Sequence, residues 1–270
     1  QNDKPLSNTF VRRVHAVLQA ALKQAVKERL IPYNPCENCR IPPKDKKEMT
    51  ILPPEKIGRY LQEAEKYGVL PMFYLELSSG LRRGELLALQ WEDLNVKERI
   101  LTVNKQVTRM EGELDVTEPK TKNSVRKVAL SQQAVDLLVQ EHEQHPDNPI
   151  LFPSPRTGGY WSPDAVSRIN RKLLKSAGIE EHVRFHDLRH TFATMAISSG
   201  VDVKTLSSML GHYSAGFTLD TYTHITNDMQ RGAAEKIGGF MESATATTTP
   251  EPPDPPEESR CKVIPFEKVV

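Results

Sequence analysis

The sequence predicts an α+β fold: a mostly helical domain with a small antiparallel sheet, preceded by the last helix of a separate helical domain. Three observations carry this. Apolar residues recur at three- and four-residue steps through most of the chain, whereas residues 99–130 alternate and are rich in β-prone types. A proline- and lysine-rich stretch at 41–50 isolates the first helix from the rest of the chain. After residue 240 the composition shifts to a Thr-, Pro- and Glu-rich run. The expected parts are residues 1–40, the end of a first domain; 41–50, a linker; 51–240, the main domain; and 241–270, an acidic, proline-rich tail.

Ser7 is placed to cap the first helix, whose Val11, Val14, Val17, Leu18, Ala21, Leu22 and Ala25 form one apolar stripe. Arg12, Arg13, Lys23, Lys27 and Arg29 fall largely off it, and the helix should stop near Leu30, ahead of Pro32 and Pro35. One amphipathic helix cannot bury a core alone, so these residues read as the tail end of a domain whose remainder is missing, and the start at Gln1 suggests a fragment. Pro53 and Pro54 suit the first turn of a second helix running to about Tyr67, with Gly68 behind it. A third helix covers Met72 to Leu77 and breaks at Ser78-Ser79-Gly80, and a fourth starts near Arg83 and continues through Leu89. In the β-prone stretch, turn residues at Glu111-Gly112 and Lys122-Asn123-Ser124 separate three short runs, which predicts one antiparallel meander. Helices return at about 131–145, 164–177, 187–199, 202–210 and 226–239.

The 270 residues include 36 Lys and Arg against 35 Asp and Glu, a formal charge of +1, but the sum hides segregation. Residues 3–48 hold 10 basic and 5 acidic side chains, 242–270 hold 3 and 6, and the body between holds 23 and 24. The chain is basic in front, balanced in the middle and acidic behind. No apolar run approaches the roughly 20 residues a membrane helix needs, so no membrane partner is expected. No signal peptide opens the chain, and three cysteines are too few for a disulfide-stabilised fold of this size, so a reducing cytoplasm fits. Cys36 and Cys39 form a CxxC without a second pair; half a zinc site predicts a structural or incidental role, and no metal is assigned.

One stretch, His186-Asp187-Leu188-Arg189-His190, admits two chemistries. Histidines at i and i+4 with an acid second resemble a zinc-hydrolase helix. Alternatively His186 and Arg189, three apart on one face, point at a shared anion. The guanidinium favours the second, because it would oppose a dication but matches a phosphate with two parallel donors. Downstream, Leu210-Gly211-His212 sets an imidazole just past a helix, and Tyr222 comes later in Thr221-Tyr222-Thr223-His224. Upstream, Gly80-Leu81-Arg82-Arg83-Gly84-Glu85 sets an arginine at a loop-to-helix junction, and Pro119-Lys120-Thr121-Lys122 lies on the predicted meander.

With GLRRGELLALQW, PKT, HDLRHTFAT, LGH and TLDTYTH in this order, the chain resembles the tyrosine recombinases (phage-integrase family), most closely integrases of conjugative transposons of the Tn916 kind. The resemblance covers roughly 50–240 as the catalytic domain and 7–40 as the last helix of a core-binding domain. It implies a site-specific DNA recombinase that cleaves and rejoins strands through a 3′-phosphotyrosyl intermediate. It places the two arginines at Arg82 and Arg189, the β-hairpin lysine at Lys120, the histidines at His186 and His212 and the nucleophile at Tyr222. Lys122, two residues on, is the alternative general acid. It implies no cofactor, double-stranded DNA as partner, a tetramer on DNA with C-terminal exchange, and a bacterial, nucleoid-associated location; an excisionase is a candidate partner. A zinc hydrolase on His186 and His190, or a non-cleaving DNA-binding regulator of the same fold, are the alternatives.

Around that set, Glu85 and Asp187 are expected as buried partners that orient the arginines and His186. Arg12, Arg13, Lys44, Lys46, Lys47, Arg83, Lys122 and Arg126 are expected to follow the DNA, giving strongly salt-dependent affinity. Trp91 is expected in the core, His190 packed within its helix, and His15, His142, His145 and His182 at the surface.

Overall fold

The computed structural model describes residues 5–44, 50–110, 112–118, 125–211, 216, 218–219 and 234–243. The first helix, α1 (Asn8–Lys27), is capped by the Ser7 hydroxyl, which accepts from the Phe10 N–H at 3.2 Å. It ends before Leu30 because Arg29 takes a left-handed φ of 59°. The Arg29 and Leu30 N–H groups then fold back onto the Val26 and Ala25 carbonyls, both at 2.9 Å, and satisfy the helix's last acceptors. The chain doubles back along α1. Asn34 Nδ2 donates to the Gln19 carbonyl at 3.2 Å, His15 Nε2 lies 3.2 Å from the Cys36 carbonyl, and Arg12 Nη1 donates to the Pro42 carbonyl at 2.7 Å. No residue of α1 is buried, and much of its stripe, Val14, Val17 and Leu18 included, stands exposed.

Helices α2 (Pro54–Lys66), α3 (Leu70–Ser79), α5 (Gln132–Glu143), α6 (Pro163–Ser176) and α7 (Phe185–Ser198) build the main domain, with α4 (Arg83–Ala88) and α8 (Val203–Leu210) as short struts. Unlike its amphipathic neighbours, α3 is apolar on most of its surface, so it runs through the centre and packs on α2, α5 and α7. Tyr60, Phe73, Leu75, Leu86, Leu101 and Leu138 are fully buried around it. Among the described residues, no helix is long and apolar enough to cross a membrane.

The strands correct the expected single meander. β1 (Leu94–Asn95), β2 (Ile100–Val103) and β5 (Arg126–Ala129) form one antiparallel sheet with β2 central, in the register Ile100 opposite Ala129 through Val103 opposite Arg126. β3 (Gln106–Met110) and β4 (Glu113–Thr117) form a separate hairpin inserted between β2 and β5. Burial explains the split. Leu101, Val103 and Val128 alternate into the core, whereas β4 is almost wholly exposed and the hairpin is anchored by Val107. Its strand β3 crosses α4 so closely that a Cβ on Gly84 would lie 2.8 Å from the Val107 carbonyl oxygen. Of the expected helix at 226–239, the described part is a helix at 234–243.

Candidate active site

The site is assembled at the C-terminal end of α8. A helix leaves its last carbonyls without intrahelical partners, and the partial negative charge there attracts cations. Three successive carbonyls are met by three arginines from distant elements. Arg126 Nε donates to Met209 at 2.6 Å, Arg189 Nη2 to Leu210 at 2.7 Å, and Arg82 Nη2 to Gly211 at 2.9 Å. Arg189 also donates through Nη1 to the Gly80 carbonyl at the end of α3, at 2.7 Å. Two left-handed glycines make this possible. Gly80 (φ 61°) turns the chain from α3 towards Arg82, and a Cβ there would sit 2.3 Å from Phe192 Cδ1. Gly211 (φ 63°) lies against the Arg126 side chain, 3.1 Å from where its own Cβ would be.

Glu85 supplies the counter-charge. One carboxylate oxygen accepts from Arg82 Nη1 at 2.8 Å and Arg126 Nη1 at 3.0 Å, and the other accepts from the Arg82 backbone N–H and Arg126 Nη2, both at 2.8 Å. Burial would raise this carboxyl, but the hydrogen bonds and charges of Arg126 and Arg82 outweigh it and hold it below the usual range. Three guanidinium groups thus gather around one charged carboxylate. A second acid, Glu76 on α3, is fully buried, and neither oxygen has a hydrogen-bond partner among the described residues. Desolvation raises it well above the usual carboxylate range despite the nearby Arg189 charge. The cluster therefore keeps an excess of positive charge.

Arg189 is buried, and desolvation followed by the like charge of Arg82 brings it down to about 10, which still leaves it charged near pH 7. Arg82 has a side chain 39% exposed, so it faces outward from the cluster. His186, in the first turn of α7, is exposed at the mouth. Desolvation by the surrounding protein, then the charges of Arg189, Arg184 and Arg82, hold it below the usual imidazole range despite the opposing pull of Asp187. His190, one turn on, has its ring centroid 5.1 Å from that of His186 and is lowered to about 4, chiefly by desolvation. A cavity of about 540 Å³ opens beside His186, lined by Arg83, Arg171, His182 and Arg184 among others.

The structure brings together Arg82, His186, Arg189 and Glu85. Lys120, Lys122, His212, Tyr222, Lys46 and Lys47 lie outside the described residues. Two expectations are corrected. Arg126 does not face DNA: it is 8% exposed and forms a two-pronged pair with Glu85, because its position opposite Val103 turns it into the core. Asp187 is buried, but its side chain bonds none of Arg82, Arg189 and His186 among the described residues. It caps α7 by accepting from the Arg184 backbone N–H at 2.7 Å and from Arg184 Nε and Nη2 at 2.9 and 2.8 Å. Arg83 is half-buried, donating to Ser167 Oγ at 2.7 Å. Trp91 is only half-buried and stacks on His142, with ring centroids 3.9 Å apart.

The model of the phage integrase family matches residues 51–229. The chain belongs to the phage integrase family. This integrase-family chain is 31% identical over 249 residues to the ICEBs1 integrase of Bacillus subtilis (strain 168), covering 87% of itself and 67% of that protein. It is 28% identical over 263 residues to a XerC-like tyrosine recombinase of Caldanaerobacter subterraneus subsp. tengcongensis, with the same coverages of 87% and 67%. In fold it is similar to the Tn1549 transposon integrase solved with a circular intermediate DNA, with a TM-score of 0.75 at 22% identity over 87% of this chain and 81% of that one. It is a tyrosine recombinase of the kind mobile elements carry, and the zinc-hydrolase reading of His186 and His190 is not favoured. Asp187, the acid that reading would need beside the two histidines, is turned to Arg184.

The sequence reading missed Arg126 as part of the cluster, Glu76 beneath it, and Arg184. An Arg184-x-x-Asp187 capping pair is visible in the sequence at a helix start. Nothing local marks Glu76, which sits in an apolar helix, or the partner of Arg126, which is 41 residues away in sequence.

Proposed function

We propose that this chain integrates and excises a mobile element by cutting and rejoining double-stranded DNA at the element's ends and target sites, through a 3′-phosphotyrosyl intermediate. The observation that carries this is the arginine cluster at the end of α8, which holds Arg82 and Arg189 beside His186, whose pKa lies below the usual imidazole range. Such a cluster is built for the extra negative charge that develops on a phosphodiester's nonbridging oxygens, because preorganised donors need no rearrangement as the charge appears. The Tyr222 oxygen attacks the scissile phosphorus, forming a P–O bond to tyrosine as the bond to the 5′-oxygen breaks. The phenol, with an ordinary pKa of about 10, passes its proton to His186 as it attacks. The leaving 5′-oxygen takes a proton from Lys120, with Lys122 as the alternative, and His212 hydrogen-bonds the phosphate. Attack by a 5′-hydroxyl of another strand reverses these transfers and regenerates tyrosine.

We divide the chain into a core-binding remnant (1–40), a linker (41–50), the catalytic domain (51–240) and a tail (241–270); the family match beginning at residue 51 supports the second boundary. Arg12, Arg13, Lys44, Lys46, Lys47, Lys122 and Arg83 contact the DNA backbone, and the cavity beside Arg83, Arg171 and Arg184 supports phosphate contacts there. The assembly is a tetramer on DNA with exchange of the C-terminal segment, supported by the apolar Ile237, Phe240 and Met241 that the helix at 234–243 exposes. An excisionase directs the excision reaction.

A nicked DNA substrate carrying the element's own end tests the chemistry. The wild-type chain should form a covalent protein–DNA adduct in the presence of EDTA, and Tyr222→Phe should form none. Arg82→Ala should slow adduct formation on the order of 10²–10³-fold. A wild-type chain that gives no adduct on those ends would overturn the proposal.

A further inference from the structure

The geometry points to a zinc site formed by His15, Cys36 and Cys39, which clips the middle of α1 to the turn that leads into the linker. The CxxC alone is half a site; the fold supplies the third ligand from 21 residues upstream. One ligand atom from each of the three side chains lies within 4.8 Å of the others, the one such group of three His, Cys, Asp or Glu among the described residues. The backbone is already arranged around it. The Cys39 N–H donates to the Cys36 carbonyl at 3.3 Å, closing the tight turn that brings two CxxC sulfurs to one side. Asn34 fixes that turn to α1, its Oδ1 accepting from the Cys36 N–H at 3.0 Å and its Nδ2 donating to Gln19 at 3.2 Å. The Cys36 carbonyl lies 3.2 Å from His15 Nε2, and with the proton on that nitrogen the contact is the backbone hydrogen bond that commonly orients a ligating imidazole.

The ligand set selects the metal. Two thiolates and an imidazole suit zinc, whereas magnesium and calcium take oxygen ligands. Tetrahedral zinc, with bonds of about 2.3 Å to sulfur and about 2.0 Å to nitrogen, wants neighbouring ligand atoms about 3.5–3.8 Å apart. Closing from 4.8 Å is within reach of side-chain rotation, since Cys39 is exposed and His15 is half-buried. The fourth position falls to water. The location gives the ion its work. Cys36 and Asn34 are the buried residues of the 5–44 segment, so the return of the chain along α1 rests on three hydrogen bonds and very little apolar contact. A bound ion would fix the basic face around Arg12 and Arg13 relative to the linker without needing a core.

The test uses the 270-residue chain, reduced and freed of metal, and is independent of strand transfer. Cobalt(II) should bind one per chain with a thiolate-to-cobalt charge-transfer band, and zinc should displace it. Zinc should protect two of the three cysteine thiols from a disulfide reagent and leave Cys261 reactive. Cys36→Ser and Cys39→Ser should each lose the cobalt band, His15→Ala should shift the titration to higher metal concentration, and Cys261→Ser should change nothing. The proposal is overturned if the wild-type chain gives no thiolate–cobalt band, if zinc leaves all three thiols equally reactive, if Cys36 and Cys39 remain a disulfide under reductant, or if Cys261→Ser abolishes binding. The wild-type spectrum and thiol count decide the matter even where a substituted chain fails to fold.

Discussion

Arg126 and Arg82 both bind Glu85, yet they differ in what they are free to do. Arg126 is sealed from solvent and spends its guanidinium on Glu85 and Met209, whereas Arg82 keeps a partly open face. Removing Arg126 leaves Glu85 with a single charged partner in a buried setting, and losing one member of such a pair costs about 3–5 kcal/mol. Arg126→Ala should therefore lower denaturant stability by that order. A loss confined to DNA affinity, with unchanged stability, would return Arg126 to the DNA surface. His186 makes a second residue-scale prediction. As a base it must be unprotonated, and its depressed pKa keeps it so below the usual imidazole value. The cleavage rate of Tyr222 on a nicked substrate should hold as pH falls through about 6.5 and decline only below it. An acid limb centred at or above that value would contradict the role. The residue types at Arg82, His186 and Arg189 were legible because each sits in a short run with a chemical meaning. The role of Arg126 at Glu85 was not, because a basic residue on a strand reads as a DNA contact until the register turns it inward.

At the scale of elements, the end of α8 does the organising. A helix of eight residues carries little burial of its own, but its three terminal carbonyls give Arg126, Arg189 and Arg82 a common anchor. The end of α3 does the same for Arg189 through Gly80. Gly80→Ala would force a side chain into a left-handed conformation and against Phe192, so we expect a loss of about 1–3 kcal/mol or more in thermal or denaturant unfolding, together with slower cleavage because Arg189 loses its acceptor geometry. Unchanged stability would show that α3 can end another way. Most helices were legible from periodicity, and the first also from its Ser7 cap. The strand positions were legible too, but their pairing was not, since alternation marks a strand but does not choose its partner. β2 took β5 rather than the nearer β3, because Val103 and Val128 share the core while the hairpin's anchor, Val107, packs over α4.

For the whole molecule, charge and exposed apolar surface each predict a behaviour. The basic front segment should make DNA binding fall steeply as salt rises, by counterion release. The helix at 234–243 exposes Ile237, Phe240 and Met241 and calls for a covering surface. Replacing Ile237 and Phe240 by Ser should leave single-site cleavage by Tyr222 intact and weaken assembly on two DNA sites, read by gel mobility of the synaptic complex. Unaltered assembly would place the protomer contact elsewhere. By itself the sequence determined the residue types of the site, the helical elements and the division into a basic front, a balanced body and an acidic tail, because these depend on local chemistry and short periodicity. Only the tertiary structure decided which arginines gather at Glu85, that Glu76 lies beneath them without a hydrogen-bond partner among the described residues, and that His15 meets Cys36 and Cys39. Those contacts join segments far apart in the chain, and their partners are set by how helix ends and strand register pack, which no short window of residues encodes.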